Sequence, residues 1–187
     1  FFGFTDQSLA DLYVDDDGTY DVATGSCDGT DSCYSTIQGA IGAASSGDVV
    51  VCPGSYSECI TMKNGVNVVS SGIVKPAISC SATAATVEFD PQSASMTCNL
   101  DGFEITHTAA VGAGVFLDGL SYPVTTTISN CTIQRASGTQ QYADRRATIF
   151  GCSPAAHTRS MAGNMSPTMI RIVGCALGDA SCPMAPG

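Results

Sequence analysis

Two carboxylates offer the clearest case for chemistry in this sequence. Asp90 and Asp118 each follow a short apolar run, TVEF and VFL, and stand 28 residues apart. If those runs stack on neighbouring turns of the chain, the two carboxyls lie one rung apart, where each raises the other's proton affinity and one can hold a proton. A protonated and an ionised carboxyl sharing a site is the arrangement that acid–base cleavage of a glycosidic bond requires. The same residues also fit turns, because Asp90 precedes Pro91 and Asp118 precedes Gly119. Gly151 stands where a third carboxylate of the ladder would fall.

Asp15, Asp16 and Asp17, followed by Gly18, form a candidate cation loop. A calcium loop wants alternating oxygen ligands, a glycine at its sixth position and a distant glutamate, whereas Tyr13 occupies the first position here. A solvated turn accounts for the run equally well. The two histidines, His107 and His157, stand far apart, and neither has a nucleophile-like context. No cofactor motif is present, so none is expected.

The ten cysteines carry a different message. They include no Cys-x-x-Cys pair and no Cys/His cluster, so metal-ligand spacing is absent and an oxidised, extracellular framework is the better reading. A sequential pairing would join Cys27 to Cys33, Cys52 to Cys59, Cys80 to Cys98, Cys131 to Cys152 and Cys175 to Cys182. Stacking of Cys131 on Cys175 is a rival that would staple two turns together. Each bridge would stabilise the fold by about 2–4 kcal/mol. The sequons at Asn130 and Asn164 suit a secretory route and mark candidate glycosylation sites.

Bulk properties narrow the field. The 187 residues suit one domain, 12–187, preceded by an extension, 1–11, that holds the apolar Phe1, Phe2 and Phe4. Those three phenylalanines need a partner surface, on this chain or on a neighbour, and are candidate assembly residues. Only 13% of residues are charged, yet no run approaches the roughly 18 apolar residues of a membrane span. The net charge is −10, and the first 31 residues hold eight acids and no Lys or Arg, which disfavours nucleic acid as a partner. A start at Phe1, without a basic-then-apolar leader, is what a processed secretory chain would have.

The elements that would position these groups are of two kinds. Residues 34–45 read as the one helix: Ser35 and Gln38 suit a capping box, and Ile37, Ala40, Ile41 and Ala44 form an apolar stripe. Gly47 can adopt the left-handed backbone that closes helices. After it, over about 48–178, come short strands that repeat. NGVNV (64–68), DGFEI (101–105), SNCTI (129–133) and VGCAL (173–177) share one pattern, and VVV (49–51), TVEF (86–89), GVFL (114–117) and ATIF (147–150) share another. Gly102 and Asn130, like Phe89 and Leu117, are 28 residues apart, so the two elements advance together. Val66, Phe103, Cys131 and Cys175 would form one inward ladder, and Val68, Ile105, Ile133 and Leu177 a second. Gly65, Gly102, Asn130 and Gly174 would share a bend of positive φ.

LYVDDDGT (12–19) followed by SCYSTIQGAIGAASSGDVVVCPGSYSECITM (32–62), and later TISNCTIQ, resembles the opening and the rungs of right-handed parallel β-helix proteins of the pectin lyase-like superfamily. The resemblance implies an all-β, disulfide-stabilised stack of four to five short coils with an N-terminal cap helix. It does not fix an activity, because that superfamily holds polysaccharide lyases, hydrolases, adhesins and structural surface proteins. Its lyases use calcium-binding acids and a Lys or Arg base, for which Arg135 is the positional candidate. Two functions follow as expectations. The first is an extracellular structural subunit that assembles with itself or with other surface proteins. The second is a carbohydrate-active enzyme, or a carbohydrate-binding or adhesin module, with polysaccharide as partner.

Overall fold

The computed structural model describes residues 11–21, 26–81, 85–109, 112–118, 122–135, 147–148, 157–160, 169–173 and 176–177. The chain opens with β1 (Leu12–Val14), a hairpin of β2 (Thr19–Asp21) and β3 (Ser26–Ser32), and α1 (Ile37–Ala43). It continues through β4 (Gly47–Val51), β5 (Ser55–Tyr56), β6 (Ile60–Thr61), β7 (Val66–Ser70), β8 (Ala77–Cys80) and β9 (Ala85–Phe89). Then follow β10 (Met96–Asp101), β11 (Glu104–His107), β12 (Ala113–Leu117), β13 (Val124–Ser129) and β14 (Thr132–Arg135). The last described strands are β15 (Ala147–Thr148), β16 (His157–Ser160), β17 (Met169–Val173) and β18 (Ala176–Leu177).

Strand pairing sorts them into three mainly parallel sheets beside the β2–β3 hairpin. The first runs β1-β4-β7-β10-β13-β17-β16, the second β18-β14-β11-β8-β5, and the third β15-β12-β9-β6. From β4 to β15 the described strands visit first, second and third sheet in that fixed order on successive passes. A strand of two to six residues cannot hold a sheet alone, but each finds its partner on the next pass, about 4.8 Å away. The 28-residue spacing holds in all three sheets: Leu100 pairs with Ile128, Ile105 with Ile133, and Val87 with Val115.

Alternate residues on these strands point inward. Val49, Val68, Leu100 and Ile128 line the interior from the first sheet, Ile78, Ile105 and Ile133 from the second, and Ile60, Val87 and Val115 from the third. Each fully buried aliphatic side chain stabilises by about 1.5–3 kcal/mol relative to exposure. The shared bend of positive φ holds for Gly102, +89°, and Asn130, +53°, the latter being the only non-glycine of positive φ found among the described residues, whereas Gly65, φ +77°, turns from the third sheet into the first and does not belong to it.

Two repeat assignments need correction. Val66 and Val68 lie in the first sheet, where Val68 pairs with Leu100, so NGVNV is not equivalent to DGFEI and SNCTI. The true equivalent on the preceding pass is the stretch around Ile78, which pairs with Ile105. Likewise VVV belongs to the first sheet, whereas TVEF and GVFL are third-sheet partners. Short apolar runs look alike in every sheet, so sequence pattern alone misassigned them. The ATIF strand does reach the third sheet, but Ala147 and Thr148 pair antiparallel with Leu117 and Phe116. The first sheet also ends antiparallel, β16 on β17.

α1 is shorter than the 34–45 span expected, and its N-cap is Thr36, whose hydroxyl accepts from Gly39 N, rather than Ser35. Ile37, Ala40, Ile41 and Ala44 are all buried, as their spacing predicts. Gly47 does adopt positive φ, +94°, but as the first residue of β4 rather than as the cap, which is Ala44. No helix among the described residues is long and apolar enough to cross a membrane.

Candidate functional site

The register Phe89 to Leu117 places Asp90 and Asp118 on successive rungs, and Asp118 N–H donates to Phe89 O at 2.8 Å. Asp90 accepts from Gln92 Nε2 and lines a shallow groove of about 280 Å³ with Met62, Lys63, Asn64 and Met96, and Asp118 is not among its lining residues. The groove's other polar groups serve the fold. Lys63 Nζ donates to Gly42 O at 3.1 Å and to Ala44 O at 2.5 Å, and Asn64 Oδ1 accepts from Thr97 N at 2.8 Å. Arg135 pairs with His107 in the second sheet, whereas both aspartates follow strands of the third.

Asp15, Asp16 and Asp17 stand in different surroundings. Asp16 Oδ2 accepts from Ser55 N at 3.1 Å, and Asp17 is exposed. Asp15 turns inward and is only 5% exposed. Burial raises its pKa above the usual carboxylate value, opposed by a backbone hydrogen bond from Asp17. Its carboxylate oxygen and the sulfurs of Cys27 and Cys52 all lie within 4.8 Å of one another.

Those sulfurs form a disulfide, and the sequential pairing is overturned for Cys27–Cys33, Cys52–Cys59 and Cys80–Cys98. Cys27 joins Cys52 and Cys59 joins Cys80. The reason is topological. Register between β2 and β3 shifts between Tyr20 and Asp21, so residues 27–30 leave the ladder and Cys27 reaches the end of β4 with a Cα–Cα distance of 5.6 Å. Cys52 follows a first-sheet strand while Cys59 precedes a third-sheet strand, with β5 between them, so the two cannot close locally. Cys33 and Cys98 are free thiols, against the expectation that every cysteine is bridged. Cys98 instead faces the interior of the first sheet, and Cys131 is buried with its thiol toward Ser129 O at 3.1 Å. Two inter-strand disulfides are consistent with maturation in an oxidising compartment.

Sequence reasoning missed how the first pass is closed. Glu58 accepts from Ile37 N at 2.7 Å and Gln38 N at 2.9 Å, occupying both N–H groups at the start of α1. Gln38 Oε1 in turn accepts from Thr61 N at 2.7 Å, which satisfies the outer edge of the third sheet, as Asp16 does for the second. The signal was present as an acid and a lysine, Glu58 and Lys63, flanking an apolar pair just after a helix lacking charged ends.

The outer face of the first sheet carries a ladder. Asn67 Nδ2 donates to Asp48 Oδ1 at 2.8 Å, Asn99 N and Nδ2 donate to Asn67 Oδ1 at 3.1 Å, and Thr127 N donates to Asn99 Oδ1 at 3.1 Å. Beside it, Asp101 Oδ1 accepts from Ser129 Oγ at 2.6 Å and from Asn130 Nδ2 at 2.8 Å. The Asn130 amide that would carry a glycan is thus engaged with Asp101. Phe1, Phe2, Phe4, Asn164, Cys152, Cys175 and Cys182 lie outside the described residues.

Comparison with protein-family models, with characterised proteins and with solved structures returns no match to this chain.

Proposed function

We propose that the three sheets are the faces of a right-handed parallel β-helix roofed at its N-terminal end by α1, and that the chain is an extracellular structural subunit of a surface filament, appendage or wall layer. The fixed visiting order of the sheets supports the helix, and its hand follows from the strong preference for right-handed crossovers between parallel strands. The observation that carries the structural role is where polar side chains go. Asp48, Asn67, Asn99, Asp101, Ser129 and Asn130 bond to groups on neighbouring strands instead of converging on a cleft. With the first-pass edges taken by Asp16, Gln38 and α1, growth by strand addition at that end is blocked. Assembly then uses the opposite end or a lateral face, with a second copy or another surface protein as partner.

The competing reading is a carbohydrate-active enzyme, supported by the groove at Asp90. Incubation with pectate and alginate, with and without Ca²⁺, separates the two. The structural reading expects neither new reducing ends, which hydrolysis releases, nor unsaturated product, which a lyase releases, and accumulation of either would replace it.

A further inference from the structure

We propose that reduction of the Cys27–Cys52 disulfide opens a binding site for a thiophilic divalent cation of the zinc type, with Cys27, Cys52 and Asp15 as its three protein ligands. The ligand atoms are gathered already, all within 4.8 Å. A tetrahedral zinc site, with bonds of about 2.3 Å to sulfur and about 2.0 Å to oxygen, sets its ligand atoms roughly 3.3–3.8 Å apart. The main change required is that the two bonded sulfurs part, and their Cα atoms at 5.6 Å permit this by side-chain rotation.

Two ligands are held and one can turn. Asp15 and Cys52 are buried, Cys52 N–H donates to Val14 O at 2.8 Å beside Asp15, and Tyr56 Oη donates to Cys52 O at 3.0 Å. Cys27 is half-buried on the irregular part of β3, where the ladder with β2 is broken. Ser71 Oγ stands 3.2 Å from Cys27 Sγ, placed to donate a hydrogen bond to a ligating thiolate. Two thiolates with one carboxylate favour zinc-like ions over Ca²⁺ or Mg²⁺. With three protein ligands, the fourth position is left to water, as in open zinc sites.

The chemistry balances with a phosphine as reductant. The phosphine takes oxygen from one water and becomes a phosphine oxide, while the disulfide accepts two electrons and two protons and becomes two thiols. Cation binding then releases those protons to solvent as two metal–sulfur bonds form. In the oxidised protein the sulfurs are bonded to each other and the site is closed.

The test titrates Co²⁺ into full-length protein, oxidised and phosphine-reduced without oxygen, following sulfur-to-cobalt charge-transfer absorption and far-ultraviolet circular dichroism. The reduced protein should take up one Co²⁺ per chain, displaced by Zn²⁺, and the oxidised protein none. Asp15→Asn should weaken binding at least about 10-fold, Cys52→Ser should abolish it, and Cys33→Ser should leave it intact. A reduced, folded protein that takes up no Co²⁺, or a band that survives both Asp15→Asn and Cys52→Ser, overturns the proposal. Should reduction unfold the chain, Zn²⁺ must restore the dichroism of the wild type but not of Cys52→Ser, and failure to do so overturns it equally.

Discussion

Glu58 and Lys63, five residues apart on one loop-and-strand segment, hold opposite ends of the same helix: Glu58 accepts from Ile37 N and Gln38 N, and Lys63 donates to the carbonyls of Gly42 and Ala44. A seven-residue helix is too short to persist by propensity, so its ends and its buried face must be held by the first pass. Glu58→Ala should destabilise the protein by about 2 kcal/mol, within the range for lost caps and charged hydrogen bonds, and Glu58→Gln by about half that. Urea unfolding with an unchanged slope checks this. A shift below about 0.5 kcal/mol, the size of an ordinary surface substitution, would show that the cap is dispensable.

At Asn130 the backbone, rather than the sequon, sets the requirement. Its φ of +53° occupies the bend between first- and second-sheet strands that Gly102 occupies on the preceding pass. Asn130→Gly should be tolerated, whereas Asn130→Ala should cost about 1–2 kcal/mol through left-handed strain. Thermal unfolding of the pair resolves the difference. Equal midpoints would mean that the bend relaxes.

Thr126 buries a hydroxyl that finds no hydrogen-bond partner among the described residues and is 3% exposed. An unsatisfied buried donor is costly, and valine has nearly the same shape without it. Thr126→Val should therefore stabilise by about 1 kcal/mol. Loss of stability in denaturant titration would reveal a role for the hydroxyl.

Burial pushes the Cys98 thiol from an ordinary value of 9.0 up to about 12. A thiol whose folded pKa is raised binds its proton more tightly when folded, so its contribution is complete below pH 9 and is lost as pH rises toward about 12. Cys98→Ala should flatten that alkaline decline. In native protein, iodoacetamide mapped by mass spectrometry should label partly exposed Cys33 well before buried Cys98. Reversed order would place Cys98 at the surface.

What could be read in advance followed from periodicity. The stripe Ile37, Ala40, Ile41, Ala44, the 28-residue advance and the Gly/Asn bend each express a geometric need that few residue types meet. Strand membership was legible only where a repeat was long: DGFEI and SNCTI share a sheet, but Val66 and VVV fooled the pattern because two alternating valines suit any face. Cysteine pairing was not legible at all, since Cys27 meets Cys52 only through a register break that no local signal announces. The carboxylates illustrate the remaining gap. Spacing stacked Asp90 on Asp118 correctly, yet whether a groove surrounds both depends on side-chain commitments such as that of Lys63.

Assembly is the claim on which the functional account turns, and sedimentation combined with electron microscopy of purified protein over a rising concentration series tests it most directly. The account predicts concentration-dependent growth into rods, fibres or sheets. A strictly monomeric particle at the highest concentration would contradict it.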